Sequence, residues 1–150
     1  LLADQNQEFT VSVWAHPFSS TSERGEVFSW FDGNRAYIRA RDNQWVFRQF
    51  RPDDSAEKIS TSSHFSLNEW SHLVFIWDGQ HLKAYVDGNK IGEKDMNTRS
   101  DRESPPNLIG KFRYGEEYFD GKIDDFRIFP YALNNEQVKQ VMNSGAVNIG

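Results

Sequence analysis

Short runs of alternating apolar and polar residues dominate the chain. Phe9-Thr10-Val11-Ser12-Val13-Trp14-Ala15 is the clearest. Successive side chains of a strand point to opposite faces, so this run predicts a strand with a buried face and a second, more polar one. Similar runs at residues 26–31, 36–41, 45–50, 72–77, 82–86, 107–109 and 122–129 predict further strands. Asp-Gly dipeptides at 32–33, 78–79, 87–88 and 120–121 fall between runs, and Asp-Gly favours tight turns because both residues tolerate positive φ. Residues 71–91 therefore read as a meander turning at Asp78-Gly79 and Asp87-Gly88-Asn89.

One segment has helical spacing. Asn134 can cap, Gln137 follows three residues on, and Val138, Val141 and Met142 share a face. Two to three turns are expected, ending at Gly145. Segments 17–25 and 94–106, the second closed by Pro105-Pro106, read as loops. Many short strands and one terminal helix predict an all-β fold, an antiparallel sandwich or barrel.

Composition narrows this. The 150 residues fit one domain, 1–150. Twelve Phe, five Trp and five Tyr make the chain aromatic-rich, yet its mean hydropathy is −0.73. That pairing suits half-buried sheets and excludes disorder. A net charge of −5 argues against nucleic-acid partners, which need a basic excess. The absence of cysteine removes disulfide scaffolds, thiol catalysis and Cys-based zinc sites. The longest apolar run, 73–77, is far below the roughly 20 residues of a membrane helix, so no membrane insertion is expected.

Four pieces together resemble the laminin G-like, concanavalin A-like jelly-roll modules of bacterial secreted proteins. Phe9-Thr10-Val11-Ser12-Val13-Trp14-Ala15-His16-Pro17 is similar to their opening strand. Trp70-Ser71-His72-Leu73-Val74-Phe75-Ile76-Trp77-Asp78-Gly79 and Leu82-Lys83-Ala84-Tyr85-Val86-Asp87-Gly88 resemble a central hairpin. Phe119-Asp120-Gly121-Lys122-Ile123-Asp124-Asp125-Phe126-Arg127-Ile128-Phe129, then Ala132-Leu133, resembles the closing strand. The resemblance spans about 9–142 and implies a concanavalin A-like jelly-roll sandwich with one short C-terminal helix. It also implies a structural calcium, for which Asp124 and Asp125 are the matching acids, and an extracellular or cell-surface location.

Retaining glucanases share that fold and need two carboxylates about 5 Å apart, placed on one strand face. The one E-x-D run, Glu93-Lys94-Asp95, lacks the third acid, and Glu116-Glu117, Asp53-Asp54 and Asp124-Asp125 are neighbours that a strand sends to opposite faces. No G-x-S-x-G, H-E-x-x-H or phosphate-binding glycine loop is present. His72 reads as a sheet histidine. No catalytic site is expected.

Sugar sites combine an aromatic ring with a few polar groups that meet hydroxyls. Trp30, Asp32, Asn34 and Arg35 cluster at a turn, Trp45 and Arg48 follow, and Tyr114 and Tyr118 flank a second loop. Trp45, Tyr114 and Tyr118 are the rings expected to be exposed, Trp45 at a hairpin tip. Trp14, Trp70, Phe75, Tyr85 and Phe126 are assigned to packing. The chain thus reads as a non-catalytic module binding an oligo- or polysaccharide, part of a larger secreted or surface protein with appended domains. The alternative is a structural or protein-interaction module packing against a neighbouring domain.

Overall fold

The alternating runs become ten strands in two five-stranded sheets. In chain order they are β1 (Phe9–Pro17), β2 (Gly25–Trp30), β3 (Ala36–Arg41), β4 (Gln44–Phe50) and β5 (Ala56–Ser60), then β6 (Ser71–Trp77), β7 (His81–Val86), β8 (Asn89–Asp95), β9 (Leu108–Ile109) and β10 (Gly121–Phe129). A helix, α1 (Asn135–Ile149), follows. The computed structural model describes residues 6–19, 25–30, 36–100, 108–109 and 118–149. One sheet has the order β10-β1-β6-β7-β8 and the other β5-β4-β3-β2-β9, with antiparallel pairings. This is the expected jelly-roll sandwich.

The core lies between the sheets. Phe9, Val11, Val13 and Ala15 of β1 face Phe47, Trp45 and Ile38 of the other sheet, with Leu73, Phe75 and Trp77 of β6 beside them. Each Val, Leu, Ile or Phe among them contributes about 1.5–3 kcal/mol through burial. Thr10, Ser12 and Trp14 point the other way, as the alternation predicts. Thr10 anchors the helix approach: its hydroxyl donates to Tyr131 O (2.8 Å) and accepts from Leu133 N (3.0 Å). Leu133 and Val138 then cover Val74, Ile76 and Tyr85 on that outer face. Asn134 and Gln137 exchange side-chain-to-backbone bonds, both 2.9 Å, in the expected capping box. Among the described residues no helix is long and apolar enough to cross a membrane.

Several expectations are corrected. The helix passes Gly145 and runs fifteen residues. β5 and β8 escape the period-2 reading because both are edge strands rich in charge, as edges tend to be. Asp120-Gly121 makes no tight hairpin. Gly121 opens β10 opposite Pro17, where a Cβ would lie 2.2 Å from His16 O, so the approach of two backbones requires glycine. The segment after β8 also holds buried groups. Arg99 is fully enclosed, its guanidinium 5.2–5.5 Å from the rings of Phe9, Trp30 and Trp77 while it donates to Gln7 O (2.8 and 3.1 Å).

Candidate functional site

The sequence-predicted site residues separate in space. Trp30 and Trp45 are each 1 % exposed and belong to the core, so neither ring can stack on a sugar. For Trp45 the cause is the turn. Asp42 and Asn43, both at positive φ, form the hairpin tip, and Gln44 pairs back to Arg41. Trp45 therefore falls opposite Ala40 on the inward face, against Phe65 (4.5 Å) and Phe119 (6.2 Å). Tyr118 is exposed, at 53 %. Arg48 lies on the outer face of β4. Asp32, Asn34, Arg35 and Tyr114 fall outside the described residues.

Trp70, assigned by sequence to packing, is 42 % exposed. It precedes β6 and rims a recess of about 210 Å³ at one end of the sandwich. The walls are polar: Thr61, Ser63, His64, Glu69 and Asp87 surround the opening, and Trp45 lines it from the core side. The indole N–H of Trp45 is buried without a hydrogen-bond partner, in a residue otherwise packed on all sides. Leaving such a donor unmet costs about 1–3 kcal/mol. A second depression of about 370 Å³ shares Thr61, Ser63, Val86 and Asp87 with the first, and the two form one trough.

Backbone bonds hold this trough in shape. Trp45 and Thr61 are tied by Thr61 N to Trp45 O (3.1 Å) and Trp45 N to Thr61 Oγ1 (3.2 Å). Phe65 N reaches Asn43 O (2.7 Å), and Asn68 N reaches Pro17 O (2.7 Å). Asp87, in the Asp-Gly turn between β7 and β8, accepts from His72 N (2.8 Å). The Trp70 ring meets His16 edge-on at 5.0 Å, and His16 meets Phe18 at 5.5 Å. One half-exposed ring, held by neighbours and beside carboxylates and hydroxyls, is the arrangement sought in the sequence at Trp45.

The outer face of the second sheet carries another depression, about 310 Å³. Tyr37, Arg48 and Lys58 are register partners across β3, β4 and β5 there. Arg39 stacks over the Tyr37 ring (3.5 Å) and pairs with buried Glu26.

Asp124 and Asp125, the acids matched to a calcium site, make contacts within their own strand. Asp124 accepts from Asp125 N (2.8 Å), Asp125 sits at φ 49°, and its carboxylate pairs with Arg127 (2.8 Å). A hard cation wants six to eight oxygens, and among the described residues no group of three or more His, Asp or Glu comes together. Beside this pair, His72 is 1 % exposed, bonded through Nε2 to Ser12 Oγ (2.8 Å) and packed at a tilt against the Trp14 ring (4.9 Å). Burial pushes its pKa from 6.5 down to about 4, opposed by Asp125 and helped by Arg127. Between those values the unfolded chain binds a proton that the folded one refuses. The stability is therefore complete above about pH 6.5 and lost as pH falls toward 4, by about 3 kcal/mol in all. Urea unfolding of the wild type and His72→Gln across pH 4–7 checks this: the slope should shrink in the variant.

A model of the concanavalin A-like lectin/glucanases superfamily, laminin G type, matches residues 1–139. Usherin of Rattus norvegicus is 25 % identical over 149 residues, covering 91 % of this chain and 3 % of its own length. Adhesion G-protein coupled receptor V1 of Danio rerio is 25 % identical over 150 residues, covering 92 % and 2 %. The chain thus spans a few per cent of the length of these relatives. Among solved structures, the binding domain of Paraclostridial Mosquitocidal Protein 1 superposes with a TM-score of 0.77 at 23 % identity, over 93 % of this chain and 37 % of that one. A putative carbohydrate binding protein from Bacteroides ovatus gives 0.75 at 16 % identity, over 93 % and 42 %. These two likenesses are of fold.

Proposed function

Because this chain belongs to the concanavalin A-like lectin/glucanase superfamily, we propose that it is a non-catalytic carbohydrate-binding module of a larger secreted or surface protein. The observation that carries the proposal is the recess rimmed by half-exposed Trp70, with Thr61, Ser63, Glu69 and Asp87 around its opening. A pyranose offers an apolar face to the ring and hydroxyls to Glu69, Asp87 and the serines, which is how small polar-apolar ligands are oriented. Catalysis finds no support in the E-x-D run. Glu93 lies by Lys83 (3.9 Å) and Lys90 (3.3 Å) on an edge strand and does not line the recess. Single sugar sites are weak, so a tethered module acts chiefly by raising local concentration.

A glycan array followed by calorimetry tests the proposal. Trp70→Ala should weaken binding at least tenfold, about 1.4 kcal/mol, while moving the unfolding midpoint by under about 2 °C, since the ring is half exposed. Absence of binding to every neutral and acidic polysaccharide would end it. The calcium expectation at Asp124 and Asp125 is carried in the same assay, run with calcium and with chelator. With Asp125 held by Arg127, equal affinity is the expected result.

A protein-interaction role is the second reading. Exposed Tyr131 stands at a groove of about 270 Å³ beside α1, where Phe129, Leu133 and Val141 are bordered by Arg127, Gln137 and Gln140. It makes the opposite forecast in the array.

A further inference from the structure

The outer face of the second sheet carries an electrostatic conflict. Arg48 of β4 and Lys58 of β5 are directly opposite in register and line the same depression. Like charges directly opposite on one face destabilise a sheet, and a fold without use for the pair would place an acid at one position. The other cations of this face are answered, Arg39 by Glu26 and Arg41 by Asp42 (3.8 Å). Among the described residues Arg48 reaches the Tyr37 hydroxyl (3.4 Å) and the Phe50 ring (4.7 Å), neither of them anionic. No carboxylate among the described residues pairs with Arg48 or Lys58. In a chain of net charge −5, two cations side by side in a depression, with no acid among the described residues paired to either, stand out.

The position of this pair links it to the trough. Ser60, at the end of β5, lines both the cationic depression and the trough that begins at Trp70. A polymer seated on Trp70 and passing Thr61 and Ser60 over the edge of the sheet would arrive at Lys58 and Arg48. We infer that the ligand is an acidic polysaccharide, whose carboxylate or sulfate groups are taken by Arg48 and Lys58 while an uncharged part of a sugar residue stacks at Trp70. The inference rests on the carbohydrate-binding proposal and adds the charge of the ligand to it. Arg suits the role because its planar fork matches an oxyanion with two parallel donors, and Lys adds a mobile point charge. Tyr37, pinned beneath Arg39, gives the face a rigid floor.

Calorimetry of the whole domain in 0.15 M NaCl against polygalacturonate, dextran sulfate and unmodified dextran tests it, with anionic phospholipid vesicles as a further arm. At least one acidic polymer should bind ten or more times tighter than dextran, with a preference that falls as salt rises. Lys58→Glu should remove most of that preference. It should also raise the unfolding midpoint by about 1–3 °C, because it turns a like-charge pair into an opposite one. Lys58→Gln should give the same loss without the added ion pair. Equal binding of dextran and acidic polymers would overturn the inference while leaving the carbohydrate proposal standing, and so would an acidic preference unchanged in both variants. Binding confined to vesicles would overturn it too, and failure of every polysaccharide would remove both.

Discussion

Trp45→Ala should lower the unfolding free energy by about 3–5 kcal/mol, the range for removing a large aromatic from a core. The indole is 1 % exposed and wedged between Phe65 and Phe119 at the point where β4 leaves the hairpin. Its loss opens a cavity that the bonded Trp45–Thr61 backbone cannot collapse to fill. For a domain of this size the midpoint should fall by roughly 10 °C, read by thermal or urea unfolding. Trp45→Phe keeps most of the contacts and removes the unmet N–H, so it should cost little stability. A Trp45→Ala midpoint within 2 °C of wild type would contradict the core assignment. Trp70 provides the contrast, with little effect on folding and a large one on binding.

Arg99→Ala should cost about 3–4 kcal/mol. The guanidinium is fully buried yet not an ordinary core group, since three rings surround it and the Gln7 carbonyl accepts two of its bonds. Cation–π contacts in a dry setting contribute up to about 2 kcal/mol, and the variant also takes two donors from the part-buried Gln7 carbonyl and leaves a void between Phe9, Trp30 and Trp77. Arg99→Lys should recover only part, because an ammonium lacks the flat face that stacks on rings. Arg99→Met should recover more of the packing but not the bonds to Gln7. Urea midpoints ordered wild type, Met, Ala would match this account, and an Ala variant as stable as wild type would refute it.

Local periodicity carried much of the fold. The alternation in β1 assigned Phe9, Val11, Val13 and Ala15 to one face and Thr10, Ser12 and Trp14 to the other, as found, because the pleat has a fixed period of two. The Asn134–Gln137 cap and the Asp87-Gly88 turn were legible for the same reason: the chemistry that fixes them lies within four residues. The edge strands β5 and β8 were not, since an edge needs little apolar content and its pairing is decided by the neighbouring strand.

The candidate site follows the opposite rule. A one-residue difference in where the β3–β4 turn falls sends Trp45 inward rather than outward, and no property of the tryptophan itself reveals it. Trp70 reads as one more aromatic beside a strand until the segment 61–70 brings Thr61, His64 and Glu69 around it. The sequence by itself determined the layered all-β architecture and the alternation of faces, because those depend on neighbours along the chain. Which rings reach solvent, and that Arg48 meets Lys58 without an acid between them, depend on register between strands distant in sequence. That was settled only when the sheets closed.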